Sequence, residues 1–347
     1  MLLFGVCLME IDSAEIKKVL VINLAFIGDV VLSTPVIRAL KEAYPSATVD
    51  MLTVPVAAPI ARLNPYVDTV LEYDKRGKHK KFGDLLKLAI FLRKRHYDLA
   101  ITANFAPRGA MLAWGSGIRH RVGYDAQHAG VFLTRTSSAK RPVKRHEAEN
   151  HLDVLKPLGI STADTSLVLE VDPRDVFSMR DKVIWDRSKK LVLICPCGSY
   201  SKKSWTVDGY AALITALGPQ QECFLIGSKA EAPQLAAINE AAGNVAGILA
   251  GTLTLGELAA LIDEAAVLVT VDTGPMHIAN ALKTPVVALF GPTDPKGWGP
   301  RGERDIVISK NVECSPCWGK GECSFNRCLA EIPADEVVVA TKKILEE

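Results

Sequence analysis

Residues 267–292 constrain this chain more than any other stretch. Val267-Leu268-Val269-Thr270-Val271 is an apolar, β-branched run without polar alternation, which reads as a strand buried on both faces. Asp272-Thr273-Gly274-Pro275 then reads as a turn, Met276 to Leu282 as a short helix and Val286 to Phe290 as the next strand, so the segment is a βαβ unit. In parallel sheets ligands sit beyond the carboxyl ends of the strands, where helix amino ends aim unpaired N–H groups at anions. The turn is suited to holding an anion there, because Thr273 brings a hydroxyl, Gly274 allows close approach to the backbone, and Pro275 fits the start of a helix. The competing reading of Asp272 or Thr273 is a helix cap.

The rest of the chain repeats this alternation, and 347 residues suffice for two domains. Lys18 to Leu24 reads as a first buried strand, followed by the turn Ala25 to Asp29 and an amphipathic helix that starts or bends at Pro35. Strands at Thr48 to Thr53 and Tyr97 to Thr102 flank a helix over 82–96, while 125–146 reads as basic loops and Glu147 to Leu158 as one helix. A polar link, Gly159 to Ser166, precedes a second series: strand Lys190 to Cys195, loop Pro196 to Lys203, helix Val207 to Leu217 and strand Glu222 to Ile226. The expectation is an α/β protein with a Rossmann-like domain over 1–168, a second over 169–332, and a cleft between them. The last helix, Ala334 to Glu346 within 333–347, is expected to pack back on the first domain.

Charge is distributed unevenly. Residues 1–160 carry 23 Lys and Arg against 15 Asp and Glu, whereas 161–347 carry 18 against 24. The basic clusters Lys75 to Lys81, Arg93 to His96, Arg119 to Arg121 and Lys140 to Arg145 point to an anionic partner or a membrane surface for the first half. No recognition signature for nucleic acid accompanies them. Gly-x-Gly-x-x-Gly is absent, which argues against a dehydrogenase. No apolar run reaches the roughly 18 residues of a membrane span, and Met1 to Met9 lacks the basic start of a signal peptide, so a cytoplasmic location is expected.

Three further motifs carry chemistry. Gly28-Asp29-x4-Thr34-Pro35 places a carboxylate after a strand end, where it could take a proton from an attacking hydroxyl or serve as a helix cap. Gly198-Ser199-Tyr200-Ser201-Lys202-Lys203-Ser204-Trp205 could hold a pyrophosphate, with one ammonium offsetting charge on a leaving phosphate. Glu231, after Gly227, could meet ribose hydroxyls or simply start a helix. Leu253 could lie along an adenine or in the core.

Together, Gly28-Asp29-x4-Thr34-Pro35, Lys203 two before Trp205, and Asp272-Thr273-Gly274-Pro275-Met276-His277 with the following Pro-Val-Val-Ala-Leu-Phe-Gly-Pro-Thr-Asp-Pro resemble glycosyltransferase family 9, the ADP-heptose:lipopolysaccharide heptosyltransferases. The resemblance runs from about Lys18 to Leu345 and is strongest to the heptosyltransferase II branch, with I and III as alternatives. It implies a GT-B fold, inversion at the anomeric carbon, ADP-heptose held by the second domain, and an acceptor such as Kdo-lipid A or its heptosylated form held mainly by the first. It also implies work at the cytoplasmic face of the inner membrane. On this resemblance Asp29 is the general base, and Lys203 and Ser199, with Gly198 in the same loop, stabilise the diphosphate. Glu231 contacts ribose, and Asp272, Thr273, Gly274 and His277 line diphosphate and heptose. No cofactor is obligatory, although Mg2+ could neutralise Asp272 against the phosphates. A nucleotide-sugar epimerase and a metal-linked binding protein are readings from other classes.

Cys314-x2-Cys317-x5-Cys323-x4-Cys328 is compact enough for zinc, an iron–sulfur centre or disulfides. A reducing compartment leaves thiols or a structural metal. Similar tails among heptosyltransferase II-like sequences imply a structural element rather than a catalytic one.

Overall fold

Strands whose two faces are both apolar are stable only when helices cover each face, and the chain meets this condition twice. The computed structural model describes residues 12–140, 145–320, 323 and 326–347. Met1 to Met9, including Cys7, and most of the Lys140 to Arg145 cluster lie outside the described residues. The chain divides into two units: 1–142 with 148–166, and 143–147 with 167–347.

The first unit runs β1 (Lys18–Asn23), α1 (Ile27–Leu32), α2 (Thr34–Ala43), β2 (Thr48–Thr53), α3 (Ala58–Ala61), β3 (Thr69–Glu72), α4 (Phe82–Arg93), β4 (Leu99–Thr102), α5 (Pro107–Gly115), β5 (His120–Asp125) and β6 (Arg135–Ser138). Most of α6 (Glu147–Leu152) and a 3-10 turn, Asp153–Leu158, complete it. The sequence reading of 125–146 as loops missed β6, an edge strand of four mostly polar residues without an apolar signal. Nor is 147–158 one helix: it tightens to 3-10 geometry in the turn that contains Pro157, where a proline ring cannot supply a helical N–H.

The second unit contains α7 (Pro173–Lys182), β7 (Lys190–Cys195), α8 (Val207–Leu217), β8 (Gln221–Gly227), α9 (Ala232–Ala241), β9 (Gly247–Ala250), α10 (Leu255–Asp263), β10 (Val267–Val271), α11 (Gly274–Leu282), β11 (Val286–Phe290), α12 (Pro295–Trp298), β12 (Ile306–Ser309), α13 (Arg327–Ala330) and α14 (Ala334–Glu346). His146 and Glu147 group with this unit, His146 Nε2 lying 3.0 Å from the Gly299 carbonyl oxygen.

Both sheets are six-stranded and parallel, and they share one order. The first is β3-β2-β1-β4-β5-β6 and the second, read from its other edge, β9-β8-β7-β10-β11-β12. Each therefore reverses direction between its first and fourth strands, β1/β4 and β7/β10, and ligands of doubly wound sheets bind at such reversals. Register puts Val269 beside both Ile194 and Val287, so the strand that opened the sequence analysis is central.

The last helix, expected to pack back on the first domain, gives its apolar stripe to the second unit. Val337, Ala340, Ile344 and Leu345, at helical spacing, join Val192, Val269 and Leu289 in the core of the second unit. The apolar stripe of α14 meets α8, β10 and β11, and Trp205 Nε1 donates to the Ile332 carbonyl just before it, at 3.1 Å.

Candidate active site

At the reversal of the second sheet, β7 and β10 deliver the residues that follow them to one place. After β7 the chain turns tightly back through a 3-10 turn, Ser201–Lys203. Gly198 makes this possible, since a Cβ there would stand 2.3 Å from Lys203 Cβ. Lys203 then reaches across to the residue after β10: its Nζ lies 2.6 Å from Asp272 Oδ2 and 3.4 Å from the Asp272 carbonyl oxygen. The two side chains are only 12% and 6% exposed. A buried pair of this kind holds both charges because each neutralises the other.

Asp272 is thus an ion-pair partner and not a helix cap. The N-cap of α11 is Thr273, whose side chain makes no capping hydrogen bond, which leaves its hydroxyl for another partner. Thr273 and Gly274 are half-buried, so the amino end of α11 is reachable. His277, one turn into α11, has Nε2 3.9 Å from Asp272 Oδ1. Burial pushes its pKa down to about 4 despite the carboxylate, so the ring is neutral at pH 7 and this contact is not an ion pair.

Sequence reasoning missed the aromatic groups beside His277. The Trp298 ring lies 6.3 Å from the His277 ring, and Trp318 lies 6.4 Å from Trp298, edge to face. Trp318 comes from the cysteine-bearing stretch, which is fastened to the loops of both neighbouring strands. The Trp318 N–H donates to the Pro292 carbonyl at 2.7 Å, and Ser315 Oγ donates to the Gly291 carbonyl at 2.5 Å. Gly319 packs against the Tyr200 ring, 2.9 Å from where its Cβ would stand. The hydroxyl of Thr293 is buried without a hydrogen-bond partner among the described residues, the usual mark of a group awaiting a ligand or water.

The stretch that carries the four expected cysteine ligands is described only in part, with 321–322 and 324–325 outside the described residues. Among the described residues no three His, Cys, Asp or Glu side chains are placed to hold one metal ion. Cys328 is turned into the core, with Sγ 2.8 Å from where a Gly291 Cβ would stand, whereas Cys314 is exposed. Burial, together with the neighbouring thiols Cys314, Cys317 and Cys323, raises the Cys328 pKa. Cys195, Cys197 and Cys223 are buried, and burial pushes each thiol up to about 12, which makes them inert packing groups.

The remaining expected contacts are spread along the same strand ends. Ser199 is exposed in the Lys203 loop. Glu231 and Leu253 follow the adjacent strands β8 and β9. Glu231 closes a capping box, accepting from the Ser228 N–H at 2.6 Å, so one of its oxygens is already committed. Leu253 is half-buried and therefore not a core leucine.

In the first unit, Asp29 lies in the first turn of α1 and is half-buried; the N-cap position belongs to Phe26. Asn23, the fully buried last residue of β1, holds this turn in place. Its Nδ2 donates to the Asp29 carbonyl and to Ser33 Oγ, each at 3.1 Å, and its Oδ1 accepts from the Ala25 N–H at 3.2 Å. Across the β1/β4 reversal, Asn104 follows β4 with a buried Oδ1 that has no partner among the described residues. A polar residue at the end of an apolar strand, or just past it, was the available sequence signal for the two asparagines.

These features match known proteins over nearly the whole chain. Residues 85–327 match the description of glycosyltransferase family 9 (heptosyltransferase), across parts of both units. Lipopolysaccharide heptosyltransferase 3 of Escherichia coli K12 is 32% identical over 92% of this chain and 96% of its own. Among solved structures, a family 9 glycosyl transferase from Veillonella parvula superposes with a TM-score of 0.84 at 24% identity, covering 95% of this chain and 98% of that one. The E. coli ADP-heptose heptosyltransferase II gives 0.82 at 23% identity, over 95% of this chain and 99% of that one. The two structural likenesses identify the fold as GT-B, and the identities do not separate heptosyltransferase II from III. The chain belongs to glycosyltransferase family 9, the heptosyltransferases.

Proposed function

We propose that the protein transfers a heptose from ADP-heptose, with inversion, to a sugar hydroxyl of a lipopolysaccharide inner-core acceptor, Kdo-lipid A or its heptosylated form, at the cytoplasmic face of the inner membrane. The buried Lys203–Asp272 pair at the β7/β10 reversal carries this reading. An ammonium held there has its counter-charge supplied by the protein until a diphosphate arrives, and it then meets the charge that builds on departing ADP. Thr273 and Gly274 at the amino end of α11 add N–H and hydroxyl donors, and Ser199 a further hydroxyl. Glu231 and Leu253 would meet the ribose and base, and His277 and the two tryptophans the heptose, whose ring C–H faces stack on aromatic rings. Asp29 takes the proton of the acceptor hydroxyl as that oxygen attacks C1 from the side opposite the diphosphate. A carboxylate at a helix start is a weak base, which suffices where C–O cleavage runs ahead of proton removal.

Asp272 is matched by Lys203, and the charge on the leaving group is assigned to that lysine. Family membership favours transfer over the epimerase and binding-protein readings.

The test is incubation with ADP-heptose and either Kdo-lipid A or its monoheptosyl form, followed by mass spectrometry. A heptosylated product with one acceptor is expected, and the accepted substrate assigns the subtype. Donor conversion without acceptor, or no product with any core acceptor, would overturn the proposal.

A further inference from the structure

The basic excess of the first half is concentrated in one place. Residues 74–119 hold 11 Lys and Arg against 3 Asp and Glu. They include α4 and α5, which pack against each other: Ala89 Cβ of α4 lies 3.7 Å from where a Cβ on Gly115 of α5 would stand. Each helix buries a narrow stripe, Leu88, Ala89 and Leu92 on α4, and Ala110, Leu112 and Ala113 on α5. The opposite sides are not wholly polar, as a solvated face would be. Leu86, Ile90 and Phe91 on α4 and Met111 and Trp114 on α5 are 42 to 57% exposed. Interleaved with them are exposed Lys87, Arg93, Lys94 and Arg108, and the Lys75 to Lys81 loop precedes α4.

Large apolar side chains among long basic ones match the layered chemistry of an anionic bilayer surface. Leucine, isoleucine and aromatic rings enter the acyl boundary, while lysine and arginine stems reach back to lipid phosphates. The acids near the patch do not reverse its sign. Asp84 pairs with Lys87 at 3.3 Å, Asp98 accepts from the Lys17 and Lys18 backbone N–H groups at 2.9 Å each, and Asp74 accepts from the N–H groups of its own loop. Among the described residues no helix is long and apolar enough to cross a membrane, so attachment through such a face would be peripheral.

We infer that the α4–α5 face docks the protein on an anionic lipid surface. This deepens the lipid-acceptor reading by naming the surface that meets the bilayer, and its test reads binding without turnover. Co-sedimentation of the full chain with phosphatidylcholine vesicles containing phosphatidylglycerol, and with pure phosphatidylcholine vesicles, separates the charge requirement. The double variant L86E/I90E is expected to weaken binding to the mixed vesicles at least about tenfold, since each side chain loses most of its apolar transfer free energy. I184E/V245E, with the same charge change on exposed apolar positions of the second unit, is expected to bind as wild type. Transfer to a deacylated, water-soluble acceptor is expected to be equal for L86E/I90E and wild type, which shows the variant to be folded and separates this inference from the activity itself. Equal wild-type binding to both vesicle types, or unchanged binding of L86E/I90E, would overturn it. A change in sedimentation velocity of L86E/I90E without a change in vesicle binding would instead make the face a self-association surface, and would overturn it as well.

Discussion

Replacing Lys203 with Met removes one charge from a pair whose members are 12% and 6% exposed and 2.6 Å apart. Asp272 is left as a carboxylate among Val271 and the neutral His277, with little water to solvate it. Breaking a buried ion pair from one side costs about 3–5 kcal/mol, because the penalty is the desolvation of the orphaned charge. In a unit of this size 1 kcal/mol moves Tm by about 2–4 °C, so Lys203→Met should lower the transition by roughly 6–20 °C. Asp272→Asn, which orphans the ammonium instead, should fall less, since a lysine stem can swing its head toward solvent. The double variant K203M/D272N contains neither charge and should recover most of the loss, giving a coupling free energy of about 2–3 kcal/mol. Scanning calorimetry of the four proteins without ligand measures this directly. A Lys203→Met transition within about 1 °C of wild type, or a double variant no better than the worse single one, would refute the argument that the two charges hold each other in place. ADP titration of the same set adds the functional arm: both variants lacking Lys203 should lose affinity, whatever their stability.

Asp29→Asn should lower kcat by about 10²–10⁴ while ADP affinity stays within about twofold, as expected of a general base that does not touch the nucleotide; unchanged turnover removes Asp29 from the chemistry. His146 and His277 are both held near a pKa of about 4 by burial, so the unfolded chain takes up their protons first as pH falls. Stability should be complete above about 6.5 and decline toward 4, by about 2 kcal/mol per histidine at pH 5, and denaturant titration of wild type and His277→Gln should show a flatter pH profile in the variant. Trp318→Ala should raise KM for the nucleotide sugar while ADP itself binds as before, a split readable by calorimetry and steady-state kinetics. Cys328→Ala should cost about 1 kcal/mol as a buried packing residue while Cys314→Ser stays within about 0.5 kcal/mol; equal, larger losses in both would point to a shared metal.

The catalytic scaffold was legible because its signals are local. A five-residue β-branched run followed by Asp-Thr-Gly-Pro fixes a strand, a turn and a helix start within nine positions, and that segment proved central to its sheet. The same holds for Lys18–Asn23 and for the glycine that lets Lys203 double back. Less legible were elements whose partners are distant. The edge strands β6, β9 and β12 are only four residues each, too short for a periodic signal, so only pairing with a neighbour makes them strands. For α10, whose Leu255, Ala259 and Ile262 share one stripe, Thr254 and Glu257, which close its capping box, mark the start. The role of Asp272 could not be read from its own neighbourhood, where a cap was as good a reading as any. It depends on Lys203, 69 positions earlier, being delivered by the strand next door. Trp298 and Trp318 escaped for the same reason.

Because α14 supplies Val337, Ile344 and Leu345 to the second core, that core cannot close during synthesis until residue 345 has left the ribosome. The first sheet needs nothing later than residue 166 and can be complete while the other is still a string of unmatched strands. A premature stop near 333 therefore spares one half of the enzyme and ruins the other, and the lost half is the one that carries Lys203 and Asp272.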